Sequence, residues 1–292
     1  MCGLFGWQLN RQGLGAAQRE ALAASLAVAN SSRGHHSWGY YGIGARGAER
    51  VVRRVGDIAL ARGVAGLGRT ETVMGHTRWA TTGAITAENA HPFEVGGTVL
   101  AHNGMVYNHI ELDMRYGRSC PVDSMHLAHH IDEHRELTDL EGYGAVTWVR
   151  RARPRRVYLC RMWQGSLFVA EGAFGVAWSS DRAHLTAALD VAGPRFKLVR
   201  LAEGEVYEVE SGEVFGSKWP DLELSAPPAW SQFERSCMSL TAGKGPGSDG
   251  LVDAWDDDDD DDDPEHLTAL DAATGLYVDK QGRLIDMKER TE

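Results

Sequence analysis

The stretch "MCGLFGW" (1–7) has a cysteine at the second position, which becomes the amino terminus once the initiator methionine is removed. One residue then carries both a thiol and a free α-amine, a nucleophile with its own base. The ordinary alternative is a small apolar residue that opens a buried strand. Further along, "GHTRWATTG" (75–83) sets Arg78 between a glycine start and a threonine-rich end. A guanidinium fork beside hydroxyls and backbone N–H groups makes a cradle for a carboxylate. In "AHNGMVYN" (101–108) the Asn103 amide adjoins the Gly104 N–H, two donors of the kind a tetrahedral oxyanion needs. Asp123, at the start of a helix-like stretch, could hold an ammonium group. Together these groups describe an amide hydrolase acting on an amino acid. Singly, each has a plainer role: a surface ion pair for Arg78, a turn for Asn103-Gly104, a helix cap for Asp123. Their joint occurrence carries the reading.

The elements that must position these residues read as mixed α and β. "CGLFGWQL" and "VYLCRMW" are strand-like, and "EGYGAVTWV", "SLFVAEGAFGVAWSS" and "EGEVYEVESGEVF" are short strands divided by Gly, Ser and Asp turns. "AAQREALAASLAVAN" has helical apolar spacing, and "DSMHLAHHIDEH" predicts a second helix with Asp123 or Ser124 as N-cap. Many strands and few helices predict two packed sheets flanked by helical layers, not a βαβ repeat.

The chain has 292 residues, 43% hydrophobic and 24% charged, which allows a substantial core. No apolar run reaches membrane-spanning length, and no secretory leader is read at the start. The four cysteines, Cys2, Cys120, Cys160 and Cys237, form no C-x-x-C pair, against a zinc module or a disulfide framework. A reducing, cytoplasmic setting is expected. The net charge of -11 resides in the tail: residues 221–292 carry 6 Lys+Arg against 19 Asp+Glu, and the remainder is nearly neutral. No nucleic-acid contact is expected.

"MCGLFG", "RGHHSWG" (33–39), "GHTRWATTG", "NAHPF" (89–93), "AHNG" and "DSMHLAHHI", in this order, resemble a class II glutamine amidotransferase domain of the N-terminal-nucleophile hydrolase superfamily. The resemblance covers roughly residues 2–218 and implies the family's α+β fold, a four-layer αββα sandwich. It implies Cys2 as nucleophile with its own α-amine as base, and Asn103 with the Gly104 N–H as oxyanion hole. Arg78 would clamp the α-carboxylate of L-glutamine with help from Thr81, and Asp123 would hold the α-ammonium. Trp79, Thr82 and His91 fall at motif positions around that pocket, although Thr82 stands where one branch has histidine. No cofactor and no metal are implied. His126, His130 and His134 recur at helical spacing, but helix histidines are more often packing or surface residues. Cys120, Cys160 and Cys237 are read as structural or incidental.

Beyond residue 218, a linker (219–255), a run of eight aspartates (Asp256–Asp263) and a tail (264–292) with a small hairpin around Lys280-Gln281-Gly282 are expected. The aspartate run, self-repelling, is expected to be disordered. The ammonia released from glutamine is expected to pass to a separate partner synthase. Two alternatives stay open: a γ-glutamyl amide hydrolase with another substrate, and a non-catalytic scaffold on the same fold.

Overall fold

The computed structural model describes residues 2–10, 13–61, 64, 66–133, 137–217, 268–271, 276–278 and 284–286. The chain divides into two compact units, Met1–Ser225 and Ala226–Glu292. The expected linker and the aspartate run lie outside the described residues.

The first unit opens with β1 (Gly3–Leu9), β2 (Ser37–Gly44), β3 (Glu49–Val55) and β4 (Thr70–Arg78). Strands β5 (Phe93–Val95), β6 (Thr98–Val106), β7 (Gly142–Arg150) and β8 (Arg153–Arg161) follow. Then come β9 (Phe168–Gly172), β10 (Gly175–Ser179), β11 (Lys197–Arg200), β12 (Val206–Glu210) and β13 (Glu213–Ser217). One sheet has seven strands in the order β11-β9-β10-β1-β4-β2-β3, and the other has six in the order β13-β12-β8-β7-β6-β5. Every ladder in both is antiparallel.

The helices are α1 (Ala16–Ser31), α2 (His109–Tyr116), α3 (Met125–Asp132) and α4 (Arg182–Ala192). Alternation along the strands assigns their faces. Phe5, Trp7 and Leu9 of β1 pack in one cluster with Leu22, Leu26, Leu185 and Leu189 of α1 and α4. Leu100 and Val106 of β6 pack with Leu112, Leu127 and Ile131 of α2 and α3. Between the sheets, Leu4, Met74 and Trp178 meet Val99, Ala101, Ala145 and Leu159. The result is the expected αββα sandwich with three apolar layers.

Burial on both faces explains why β1 does not alternate apolar and polar residues. Its glycines permit the close approach: a Cβ on Gly6 would sit 2.3 Å from the Val73 carbonyl and 2.4 Å from the Trp178 ring. Toward the carboxyl end of β1, Gln8 ties the sheets together by polar contacts. Its Nε2 donates to the Arg155 carbonyl at 2.6 Å, and its Oε1 accepts from the Gly212 N–H at 2.9 Å. No described helix is long and apolar enough to cross a membrane.

The second unit contains β14 (Thr268–Asp271), β15 (Leu276–Val278) and β16 (Leu284–Asp286) in one antiparallel sheet. Val278 pairs with Leu284, on either side of Lys280-Gln281-Gly282, which lie outside the described residues.

Candidate active site

Cys2 stands just before β1, at the end of the sandwich where β4 finishes. The register places Gly3 opposite Thr77, so Cys2 follows opposite Arg78. By the same alternation, Cys2 shares the inter-sheet face of β1 with Leu4, and Arg78 shares that of β4 with Met74. Asn103 lies on the β6 face of Val99 and Ala101, which meets them across the gap. Strand parity thus directs the thiol, the guanidinium and the Asn103 amide toward the gap between the sheets.

The thiol is half-buried, and its Sγ accepts the Trp79 backbone N–H at 3.3 Å. The Cys2 carbonyl accepts from Arg33 Nε at 2.9 Å, and Arg33 Nη1 in turn donates to Asp181 Oδ2 at 2.9 Å. The first residue of the site is therefore clamped on its backbone as well as aligned by the ladder. Burial pushes the Cys2 thiol up; the Trp79 N–H and the Arg78 guanidinium oppose that rise, while Asp123 adds to it. Left alone, the group rests as a thiol at neutral pH and requires a base to become a nucleophile.

Arg78 is only 3% exposed. It donates through Nη1 to the Ala84 carbonyl at 3.2 Å and through Nη2 to the Thr82 carbonyl. Burial lowers its pKa, against the fields of Cys2 and Asp123. A guanidinium nonetheless keeps its charge in a protein. Thr82 thus holds the arginine by its carbonyl, and Thr81 is exposed on the same loop. Trp79 is 42% exposed, with His35 and His36 against its ring at centroid distances of 4.9 and 4.7 Å. His36 Nδ1 accepts the Ala80 N–H at 3.0 Å, so the His-His pair of "RGHHSWG" braces the loop that carries Trp79. His91 is buried behind that loop, its ring 4.0 Å from His76 and 4.3 Å from Phe93.

Asp123 is 4% exposed, and its Oδ2 accepts the Val106 N–H at 2.7 Å. That bond ties it to the strand carrying Asn103 and Gly104. Ser124 holds the N-cap position of α3, but its hydroxyl makes no cap and lies 2.9 Å from His102 Nδ1. His102 Nε2 faces the Tyr143 carbonyl at 3.1 Å. A carbonyl can only accept, so Nε2 carries the proton and Ser124 donates to Nδ1 of a neutral ring. Burial depresses the His102 pKa, in keeping with that neutral state.

Gly104 pairs with Gly144 of β7, which adopts φ +131. A Cβ on Gly104 would stand 1.9 Å from the Tyr143 carbonyl and 2.5 Å from His102 Nε2. Only glycine fits at this point of the strand. Tyr143 itself was not singled out by the sequence. Burial raises the pKa of its phenol, and the charges of Cys2 and Asp123 raise it further. An open groove at the β2–β3 edge, lined by Trp38, Tyr40, Arg50 and Arg54, contains none of these residues.

No protein-family model matches the chain. Over 205 residues it is 32% identical to the glutamine–fructose-6-phosphate aminotransferase (isomerizing) of Pseudomonas aeruginosa, covering 62% of this chain and 32% of that one. With the enzyme of the same name from Lactococcus lactis it shares 36% identity over 121 residues, 38% of this chain and 20% of the relative. The chain therefore spans a third or less of these relatives. The fold matches the glutamine phosphoribosylpyrophosphate amidotransferase of B. subtilis with a TM-score of 0.55 and 21% identity, over 74% of this chain and 49% of that one. The chain contains a class II glutamine amidotransferase domain with the N-terminal-nucleophile hydrolase fold.

Proposed function

We propose that this domain hydrolyses the γ-amide of L-glutamine, with Cys2 as the nucleophile, once Met1 has been removed. The observation that supports this best is the setting of the thiol. It lies at the end of β1 within the fields of a buried guanidinium, Arg78, and a buried carboxylate, Asp123. Opposite charges near a thiol complement the zwitterionic end of an amino acid. The pair orients the substrate so that its side-chain amide reaches Sγ.

The chemistry follows from these positions. The α-amine of Cys2 takes the thiol proton, through a water, as Sγ attacks the amide carbon. Asn103 and the Gly104 N–H stabilise the developing oxyanion. Collapse expels ammonia with the proton returned by the amine, leaving a γ-glutamyl thioester on Cys2. Water, deprotonated by the same amine, then releases glutamate and restores the thiol. Arg78 holds the α-carboxylate, with Thr81 and Thr82 on the adjoining loop, and Asp123 holds the α-ammonium. Trp79 and His91 shape and support the pocket. The ammonia passes to an accepting synthase, the class of reaction for which the relatives are named.

Glutamate and ammonia release from L-glutamine tests the reading. The processed protein should release both, and Cys2→Ala should release neither. Glutamate release by Cys2→Ala would remove the assigned nucleophile, and a clear preference for γ-glutamyl amides with bulky amines would displace glutamine as the substrate.

A further inference from the structure

We propose that Asp113, Cys120 and His126 form a binding site for a borderline-soft divalent cation of the zinc class, with water as fourth ligand. Asp113 lies on α2 and His126 in the first turn of α3. Gly117 ends α2 in the left-handed region, at φ +61, and turns the chain back. The Cys120 N–H then donates to Asp113 Oδ1 at 3.0 Å, which draws the thiol to the carboxylate. One donor atom from each of the three residues lies within 4.8 Å of the other two. Tetrahedral zinc with these ligand types needs donors about 3.3–3.6 Å apart, so closure requires small side-chain movements. Thiolate, imidazole and carboxylate together favour zinc-like ions over calcium or magnesium.

His126 supplies an independent indication. It is fully buried, and neither ring nitrogen completes a hydrogen bond of ordinary geometry, although Nε2 is 3.1 Å from Asp113 Oδ1. Buried polar atoms are nearly always satisfied, and a cation on Nε2 would satisfy this one. Binding proceeds by exchange: the cation takes the place of the thiol proton, the proton leaves to solvent, and a metal–thiolate bond forms. The neighbouring Arg118 is paired with Glu133 and stacked on the Tyr116 ring at 5.1 Å. Cys120 and His126 bracket Asp123 in sequence, so the cation would fasten the segment that carries it.

Cobalt provides the test, because a thiolate ligand gives a sulfur-to-cobalt charge-transfer absorption that carboxylates cannot produce. The full chain is stripped with chelator and carries Cys2→Ala and Cys237→Ser, which removes two competing thiols and leaves the aspartate run unable to mimic the signal. Titration with Co2+ should develop the band at one equivalent, and Zn2+ should bleach it. Cys120→Ser should abolish it with an unchanged far-UV circular dichroism spectrum, and Asp113→Asn should weaken Co2+ binding by about tenfold or more. No band in the background chain, or a band that survives Cys120→Ser, overturns the site. The readout is independent of glutamine turnover, so its failure and the failure of the proposed activity are distinguishable.

Discussion

Replacing Gly104 by alanine is the sharpest perturbation of the oxyanion donors. The added Cβ would meet the Tyr143 carbonyl at 1.9 Å, His102 Nε2 at 2.5 Å and Gly144 Cα at 2.8 Å. Cβ contacts below 3.0 Å are essentially never seen, so β6 must retreat by about an ångström. The 1.9 Å neighbour is backbone and cannot swing aside. A displacement of about 1 Å in a positioned group costs roughly 10²-fold in rate, and loss of one oxyanion donor roughly 10²–10³-fold. Both routes give the same scale: kcat should fall by about two to three orders of magnitude. KM should move little, because Arg78 and Asp123 remain. Overpacking should also cost about 1–3 kcal/mol of stability, readable as a fall in Tm. Steady-state glutaminase kinetics on folded protein separate the two effects. Gly204→Ala is the control: φ there is +75 and nothing lies within 4 Å of the new Cβ. It should be strained by about 1–2 kcal/mol, yet retain kcat. A Gly104→Ala enzyme with kcat within threefold of the parent would refute the placement of the oxyanion site.

Three further outcomes are expected. Asp123→Asn keeps the shape and an acceptor for the Val106 N–H but loses the charge, so kcat/KM should fall roughly 10- to 150-fold with little change in Tm. Arg78→Lys keeps the charge but replaces the fork held by the Thr82 and Ala84 carbonyls; KM should rise by at least about tenfold, and an unchanged KM would argue against a carboxylate clamp. Stability should fall on acidification. Burial depresses the His76 pKa from 6.5 to about 3, so below 6.5 the unfolded chain binds a proton that the folded one refuses. The contribution is complete above pH 6.5 and declines down to about 3, by about 1.4 kcal/mol per pH unit. His91 and His102 shift in the same direction. Urea unfolding at stepped pH reads the slope, and a flat profile between pH 6 and 4 would contradict a buried neutral His76.

The sandwich and the resemblance were legible because the motif residues are local. Cys2-Gly3, Arg78-Trp79 and Asn103-Gly104 each combine a chemical group with its neighbour in the chain. Both α1 and α3 were legible from periodicity, with α3 starting two residues later than the stretch that predicts it. What stayed hidden depends on pairing over long sequence separations. The Tyr143 carbonyl meets His102 because Gly104 pairs with Gly144, a register that nothing in "EGYGAVTWV" reveals. Asp123 and Ser124 both looked like caps, but burial diverts one to the Val106 N–H and the other to His102. Arg33 sat inside a recognised motif with no visible role until α1 and β1 came together around the Cys2 carbonyl. Helices α2 and α4 were not read from the sequence, although α4 is longer than the legible α3.

The most direct measurement of the central claim is peptide mass spectrometry after exposure to a glutamine analogue bearing an electrophilic ketone in place of the γ-amide. An amino-terminal peptide that lacks Met1 and carries a single adduct on Cys2 is expected, with labelling suppressed by excess L-glutamine. A retained Met1 on protein that still turns over glutamine, or an adduct on another residue, would contradict it.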